Sequence, residues 1–245
     1  MTLISDRVRT GVIGLDDKIK GGLVKGSINF LTGKTGTGKT AFCSSFLYAG
    51  ALKGERGLYI TTEERKEDIK NDIKSMFNWD IETLETNGLL IFFSIRPELP
   101  LKIISGEDFA KVVKLYMYDL ISKICEAINS VKAQRLVVDS ISLLEAFIKD
   151  DYLKEIALTQ LIDRIKELGV TTILTGTVPE GTELLSDSGL IEFLTDSIIK
   201  LDFVPIAEEY KRTLTIRKMR RTDHSMMIHP FEITKEGIQI IEIEE

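Results

Sequence analysis

The run Leu31–Thr40, LTGKTGTGKT, constrains this chain more than any other stretch. Gly33-Lys34-Thr35-Gly36-Thr37-Gly38-Lys39-Thr40 fits GxxxxGK[ST]; SINFLT before it reads as a strand, and Lys39 to Lys53 after it reads as a helix. A glycine loop in that setting turns successive backbone N–H groups inward, where no Cβ blocks an approaching oxygen. The helix that begins near Lys39 aims the positive end of its dipole at the same point. These features predict a cradle for a nucleoside triphosphate. Thr35, Gly36, Thr37 and Gly38 would wrap the phosphates, Lys39 would reach the β- and γ-phosphates, and Thr40 would ligate Mg2+.

The rest of the chain predicts the sheet that such a loop needs. GLYITT (57–62), LLIFFS (89–94), RLVVD (135–139) and VTTILTGT (170–177) read as strands. Helical patterns separate them: about Arg65 to Phe77, about Asp108 to Asn129, and Asp151 to Leu168 with Gly169 as C-cap. In the second of these, Phe109, Val112, Val113, Tyr116, Leu120, Ile124 and Ile128 form one apolar stripe, and Ser105 offers a start signal. This alternation predicts an α/β fold, a mostly parallel sheet flanked by helices. SIIKLDF, TLTIRKM and MMIHPFEIT read as short antiparallel strands extending the sheet edge. Ser94–Glu107 reads as a mobile loop without an assigned role, and the acidic end IEIEE as a solubilising tail, with an interaction strand as the alternative. Neither a repeat nor a linker interrupts the 245 residues, so one domain over 1–245 is expected.

A triphosphate cradle needs a metal carboxylate and a group to orient water. Asp139 ends the apolar strand RLVVD, where a carboxylate at the C-terminal end of a buried parallel strand lies beside the cradle. Glu63 and Glu64 follow the strand LYITT, and either could act as general base.

Composition excludes several classes. The chain is 43% hydrophobic and 29% charged with net charge −6, an ordinary globular balance with no basic field for a polyanion. No apolar run approaches a membrane span, and charges come too early in MTLISDRVRTG for a secretory signal. The two cysteines, Cys43 and Cys125, fall in predicted helices and are expected to be buried thiols. A cytoplasmic location fits these features. Two histidines and two distant cysteines give no zinc spacing.

Taken together, these motifs resemble the RecA superfamily of ATPases, in particular its KaiC-like branch with the archaeal RadA paralogues. RTGVIGLDDKIKGGLVKGS is similar to that branch's entry to the cradle, ITTEE to its paired glutamates and RLVVDSIS to its metal-carboxylate strand. IRKMRRTDH and HPFEITKEGI resemble its late segments. The resemblance implies a RecA-like fold, a hexameric ring with ATP and Mg2+ held between subunits, and Glu63 as the water-activating base with Glu64 in support. It also implies that Lys218, Arg220 and His224 reach a neighbour's nucleotide. On a strand, Lys218 and Arg220 project from one face, and Arg217, Met219 and Arg221 from the other.

Three functions share such a core: a ring-forming regulatory ATPase, a recombinase paralogue that binds single-stranded DNA, and an autokinase. LEAFIKDDY carries Glu145, Asp150 and Asp151 against Lys149, and VPEGTELLSDSGLIEF carries Glu180, Glu183, Asp187 and Glu192 without a base. Carboxylates there repel a polyanion, so nucleic acid is disfavoured, with Phe147, Tyr152 and Phe193 expected to pack in the core. Glu192 and Phe193 stand where the clock kinase has phosphate acceptors, which weakens the autokinase reading and leaves Ser186 and Ser188 nearby. The expected function is that of the oligomeric regulatory ATPase.

Overall fold

The computed structural model describes residues 6–95, 107–186, 188–206 and 208–242. Most of Ser94–Glu107 with Ser105, together with Asp187 and the last three residues of the tail, lies outside the described residues.

The lead-in forms a small ribbon. Strand β1 (Arg7–Val8) pairs antiparallel with β2 (Leu23–Val24), and the short helix α1 (Leu15–Lys18) lies between them. Asp16 closes this segment by accepting from the Thr10 N–H at 2.9 Å and the Thr10 hydroxyl at 2.8 Å.

The main sheet follows. Its strands are β3 (Ile28–Gly33), β4 (Gly57–Thr61), β5 (Leu90–Ser94), β6 (Arg135–Asp139), β7 (Thr171–Thr177), β8 (Ser197–Ile206), β9 (Glu209–Met219), β10 (His229–Thr234) and β11 (Gly237–Ile240). They are ordered β11-β10-β9-β8-β3-β7-β6-β4-β5. Strands β5 to β8 in that row run parallel, and β9, β10 and β11 join antiparallel. The helices are α2 (Lys39–Ala51), α3 (Lys66–Met76), α4 (Ile81–Thr86), α5 (Glu107–Val131), α6 (Ser142–Phe147), α7 (Asp151–Glu167) and α8 (Ile191–Leu194).

Central strands are apolar on both faces because helices cover both. Leu31, Tyr59, Val137 and Ile173 face a core layer with Phe42, Phe46 and Leu47 of α2. Phe30, Leu58, Ile60, Leu136, Val138 and Leu174 face the other layer, with Val113, Leu120 and Ile124 of α5 and Leu158, Leu161 and Ile165 of α7. Each such side chain contributes about 1.5–3 kcal/mol by leaving water. Arg135 crosses the first layer although it is only 1% exposed. Its guanidinium meets Glu55 at 2.5 Å and the carbonyls of Phe46 at 2.6 Å and Arg9 at 2.8 Å, so its buried charge is satisfied.

Three expectations change. The segment SIIKLDF forms the expected hairpin with β9, but its other edge pairs parallel with β3, so β8 is also the last strand of the parallel row. Lys200 disguised this interior strand, but its amine meets Asp202 at 2.9 Å within a strand otherwise buried around it. Met226 to Ile228 precede β10 and are exposed. Cys43 is fully buried as expected, whereas Cys125 on α5 is half-buried.

Candidate phosphate-cradle site

The loop between β3 and α2 curls as its glycines require. Gly36 and Gly38 have φ of 80° and 109°, which residues with a Cβ rarely adopt. A Cβ on Gly33 would stand 2.4 Å from the Leu201 carbonyl oxygen, so the loop lies directly against β8. Thr37 is buried and its hydroxyl donates to the Lys34 carbonyl at 2.8 Å, closing the turn. Lys39 Nζ donates to the carbonyls of Gly33 at 2.7 Å and Lys34 at 2.9 Å. Burial lowers its pKa, opposed by the nearby negative charges of Asp139 and Glu63. Thr35 and Gly36 are exposed, and Gly38 and Thr40 are half-buried at the start of α2.

The carboxylates come from the C-terminal ends of β4 and β6, which adjoin each other. Asp139 accepts from the Tyr59 hydroxyl on one oxygen and from Thr175 Oγ1 at 2.6 Å on the other. Glu63, exposed, accepts from the Ser140 hydroxyl, so one residue after Asp139 steadies the candidate base. Glu64 is also exposed; partial burial and then the charge of Asp139 raise its pKa. Lys39, Asp139 and Glu63 thus sit within electrostatic reach of one another at one end of the sheet.

Lys218 and Arg220 are elsewhere. Lys218 Nζ donates to the carbonyls of Glu192 and Thr195, each at 2.7 Å, and Arg220 Nη2 to that of Phe193 at 3.1 Å. Both therefore reach the α8 turn from one side of the strand, while Met219 enters the core layer beside α2. Asp196, next to that turn, bonds the Ile28 carbonyl at the start of β3, whereas the cradle begins at Gly33. Roughly five strand residues, about 17 Å, separate the two levels. His224 is half-buried with Nδ1 3.0 Å from the Ser225 carbonyl oxygen. The structure does not bring Lys218, Arg220 and His224 to the cradle of their own chain.

Sequence reasoning missed Arg212. Its Nη2 lies 3.5 Å from the Gly36 carbonyl oxygen, and its guanidinium carbon sits 5.5 Å from the centre of the Phe203 ring. Its Nε is the one buried side-chain nitrogen or oxygen, among the described residues, with no hydrogen-bond partner. An orphaned guanidinium donor beside the glycine loop fits an anionic, phosphate-bearing ligand. The available signal was a lone arginine in the run EEYKRTLTIRKM, which periodicity does not distinguish from its neighbours.

The loops after β6 and β7 also differ in detail from expectation. Glu145 is buried in α6 and accepts from Ser188 at 2.7 Å. Phe147 packs partly against the core as predicted, but Tyr152 and Phe193 are 71% and 75% exposed. Among the described residues, no helix is long and apolar enough to cross a membrane.

Comparison with known proteins fits this geometry. The family described as "ATPase: KaiC" matches residues 8–245. The chain belongs to the KaiC-like ATPase family. A UPF0273 protein of Aeropyrum pernix is 35% identical over 239 residues, 95% of this chain and 92% of that protein. The circadian clock protein KaiC3 of Synechocystis is 33% identical over 241 residues, 96% of this chain but 46% of that longer protein. The crystal structure of a KaiC-like protein from Pyrococcus horikoshii superposes with a TM-score of 0.82 at 34% identity, covering 97% of this chain and 100% of that one. The α/β architecture is accordingly that of a KaiC-like RecA fold.

Proposed function

We propose that this chain is a single KaiC-like domain that binds ATP–Mg2+ on Thr35–Thr40 and hydrolyses it in a site completed by a second copy. The convergence of Lys39, Asp139 and Glu63 beside the glycine loop carries this reading. Lys39 exchanges its loop carbonyls for the β- and γ-phosphates, and Arg212 turns its orphaned donor toward the same polyanion. Thr40 and Asp139 would hold Mg2+, which would neutralise charge that develops in transfer. Glu63, fixed by Ser140, orients water and takes its proton, with Glu64 in support.

Lys218 and Arg220 stabilise that developing charge from the neighbouring copy, with His224 beside them, because their own cradle lies at the other end of the sheet. A head-to-tail contact of this kind closes into a ring, and a hexamer is the expected form. The work of such an assembly is regulatory or signalling. DNA binding is disfavoured because Glu180 and Glu183 are exposed in the loop after β7, with the amines that meet them belonging to Lys34 and Lys200 of the cradle wall. Autophosphorylation is disfavoured because Glu192 and Phe193, which cannot accept phosphate, stand in the acceptor positions, and Ser186 nearby is buried.

Light scattering with and without ATP–Mg2+, paired with phosphate release, tests this reading. Wild type should assemble and hydrolyse slowly, and Lys39→Ala should lose ATP binding. Lys218→Ala with Arg220→Ala should keep nucleotide binding and lose hydrolysis; unchanged turnover in that double variant refutes the shared site.

A further inference from the structure

Asp139 is clamped by hydroxyls from two other strands. Tyr59 on β4 donates to Oδ2, and Thr175 on β7 donates to Oδ1 at 2.6 Å. These strands flank β6 directly. Thr61 stands opposite Asp139, and Tyr59 two residues earlier shares its face; Val138 opposite Leu174 brings Thr175 level with Asp139. Three side chains therefore form one row across the sheet on the side of α2.

A carboxylate's terminal torsion is broad and two-fold when nothing holds it. A donor on each oxygen removes that freedom, and each oxygen keeps acceptor capacity for a metal-bound water. Tyr59 is fully buried and Thr175 is 0% exposed, so neither donor competes with bulk water. The Tyr59 ring is itself stacked on Phe92 at 5.7 Å, which fixes the hydroxyl's origin.

We propose that Tyr59 and Thr175 are positioning residues for the Mg2+ site, holding Asp139 in the single orientation that Mg2+ requires and thereby setting preference for Mg2+ over Ca2+. The inference rests on the reading of Asp139 as the metal carboxylate. The physical reason for selectivity is the difference between the ions. Mg2+ demands near-ideal octahedral geometry, whereas Ca2+ accepts irregular sets of oxygens at longer range. Freeing the carboxylate therefore weakens Mg2+ more than Ca2+. The hydroxyl of Tyr59 also needs a partner because it is buried, and a merely structural role would stop there. Such a role predicts loss of fold or of all nucleotide binding, without discrimination between metals.

The test is binding of a slowly hydrolysed fluorescent ATP analogue to the full chain, titrated with Mg2+, with Ca2+, and in excess EDTA. Tyr59→Phe and Thr175→Val should each raise the Mg2+ requirement on the order of tenfold, as loss of an outer-shell hydrogen bond does at other metal sites. The Ca2+ requirement should move much less, binding in EDTA should not change, and Thr175→Ser should behave as wild type. In an Asp139→Asn background, Tyr59→Phe should add nothing. If Asp139→Asn shifts the Mg2+ requirement but Tyr59→Phe and Thr175→Val do not, the clamp is refuted and the metal carboxylate stands. Equal losses with Mg2+, Ca2+ and EDTA would also refute the clamp, in favour of a structural role. If Asp139→Asn itself leaves the Mg2+ requirement unchanged, the metal reading of Asp139 falls and the clamp with it.

Discussion

Lys34 Nζ lies 3.2 Å from a carboxylate oxygen of Asp202, so a side chain of the cradle loop is pinned to the adjacent strand β8. Asp202 also meets Lys200 at 2.9 Å, and Glu180 reaches Lys34 at 3.7 Å. The glycine loop is therefore braced against β8 by ion pairs as well as internally by Thr37 and Lys39. Asp202→Asn should lower unfolding free energy by about 1 kcal/mol, the scale of a partly exposed ion pair. It should also speed hydrogen exchange at Gly36 and Thr37, measurable by mass spectrometry. Unchanged exchange there would show that the brace does not reach the loop.

Arg212 makes a separate demand. If its orphaned Nε serves the phosphates, Arg212→Ala should weaken ATP binding about tenfold, the value of a charge-assisted hydrogen bond. Arg212→Lys should recover little, because an ammonium lacks the planar fork that reaches past Phe203. Calorimetric titration measures both, and wild-type affinity in Arg212→Ala would remove this residue from the site.

Gly50 on α2 tests packing far from the cradle. A Cβ there would stand 2.3 Å from Arg135 Nε, and Arg135 is held on three sides. Gly50→Ala should cost about 2 kcal/mol, the middle of the range for overpacked cores. The chain's single tryptophan, Trp79, is stacked between Tyr48 at 4.1 Å and Phe77 at 4.0 Å, so its fluorescence reports the urea midpoint.

His229 gives a pH dependence with a definite sign. It is 6% exposed with Nε2 2.9 Å from Ser225 Oγ, and burial followed by Lys18 lowers its pKa from 6.5. The folded state thus favours the neutral ring. Its contribution is fully present above pH 6.5 and is lost as pH falls through the lower folded value, with a slope of at most about 1.4 kcal/mol per pH unit. Denaturation midpoints at pH 7.5 and pH 5 should converge more closely in His229→Gln than in wild type. An identical spread in both would show that His229 does not couple folding to protons.

The sheet and the cradle were legible because their signals are local. An apolar five-residue strand, a glycine loop and a three-to-four stripe such as Val113, Leu120 and Ile124 each carry their meaning within one segment. What stayed hidden depends on pairings between distant segments. The parallel seat of β8 beside β3 is set by neighbours more than 150 residues apart, and Lys200 broke the apolar run that would have announced it. Arg212 gains its significance only from Gly36 across the sheet, and Asp139 acquires its two hydroxyl partners from two other strands. Tyr152 and Phe193 were misassigned to the core because composition says that aromatics are buried, while their helices turn them outward.

The separation of the glycine loop from the Lys218–Arg220 end of β9 makes each copy, on the proposed arrangement, both lender and borrower. A chain stripped of those two cations still owns an intact pocket and borrows normally; the debt falls on the companion that depended on it. Blending such chains into wild type would therefore silence one pocket per altered subunit, and output would decline in step with their fraction.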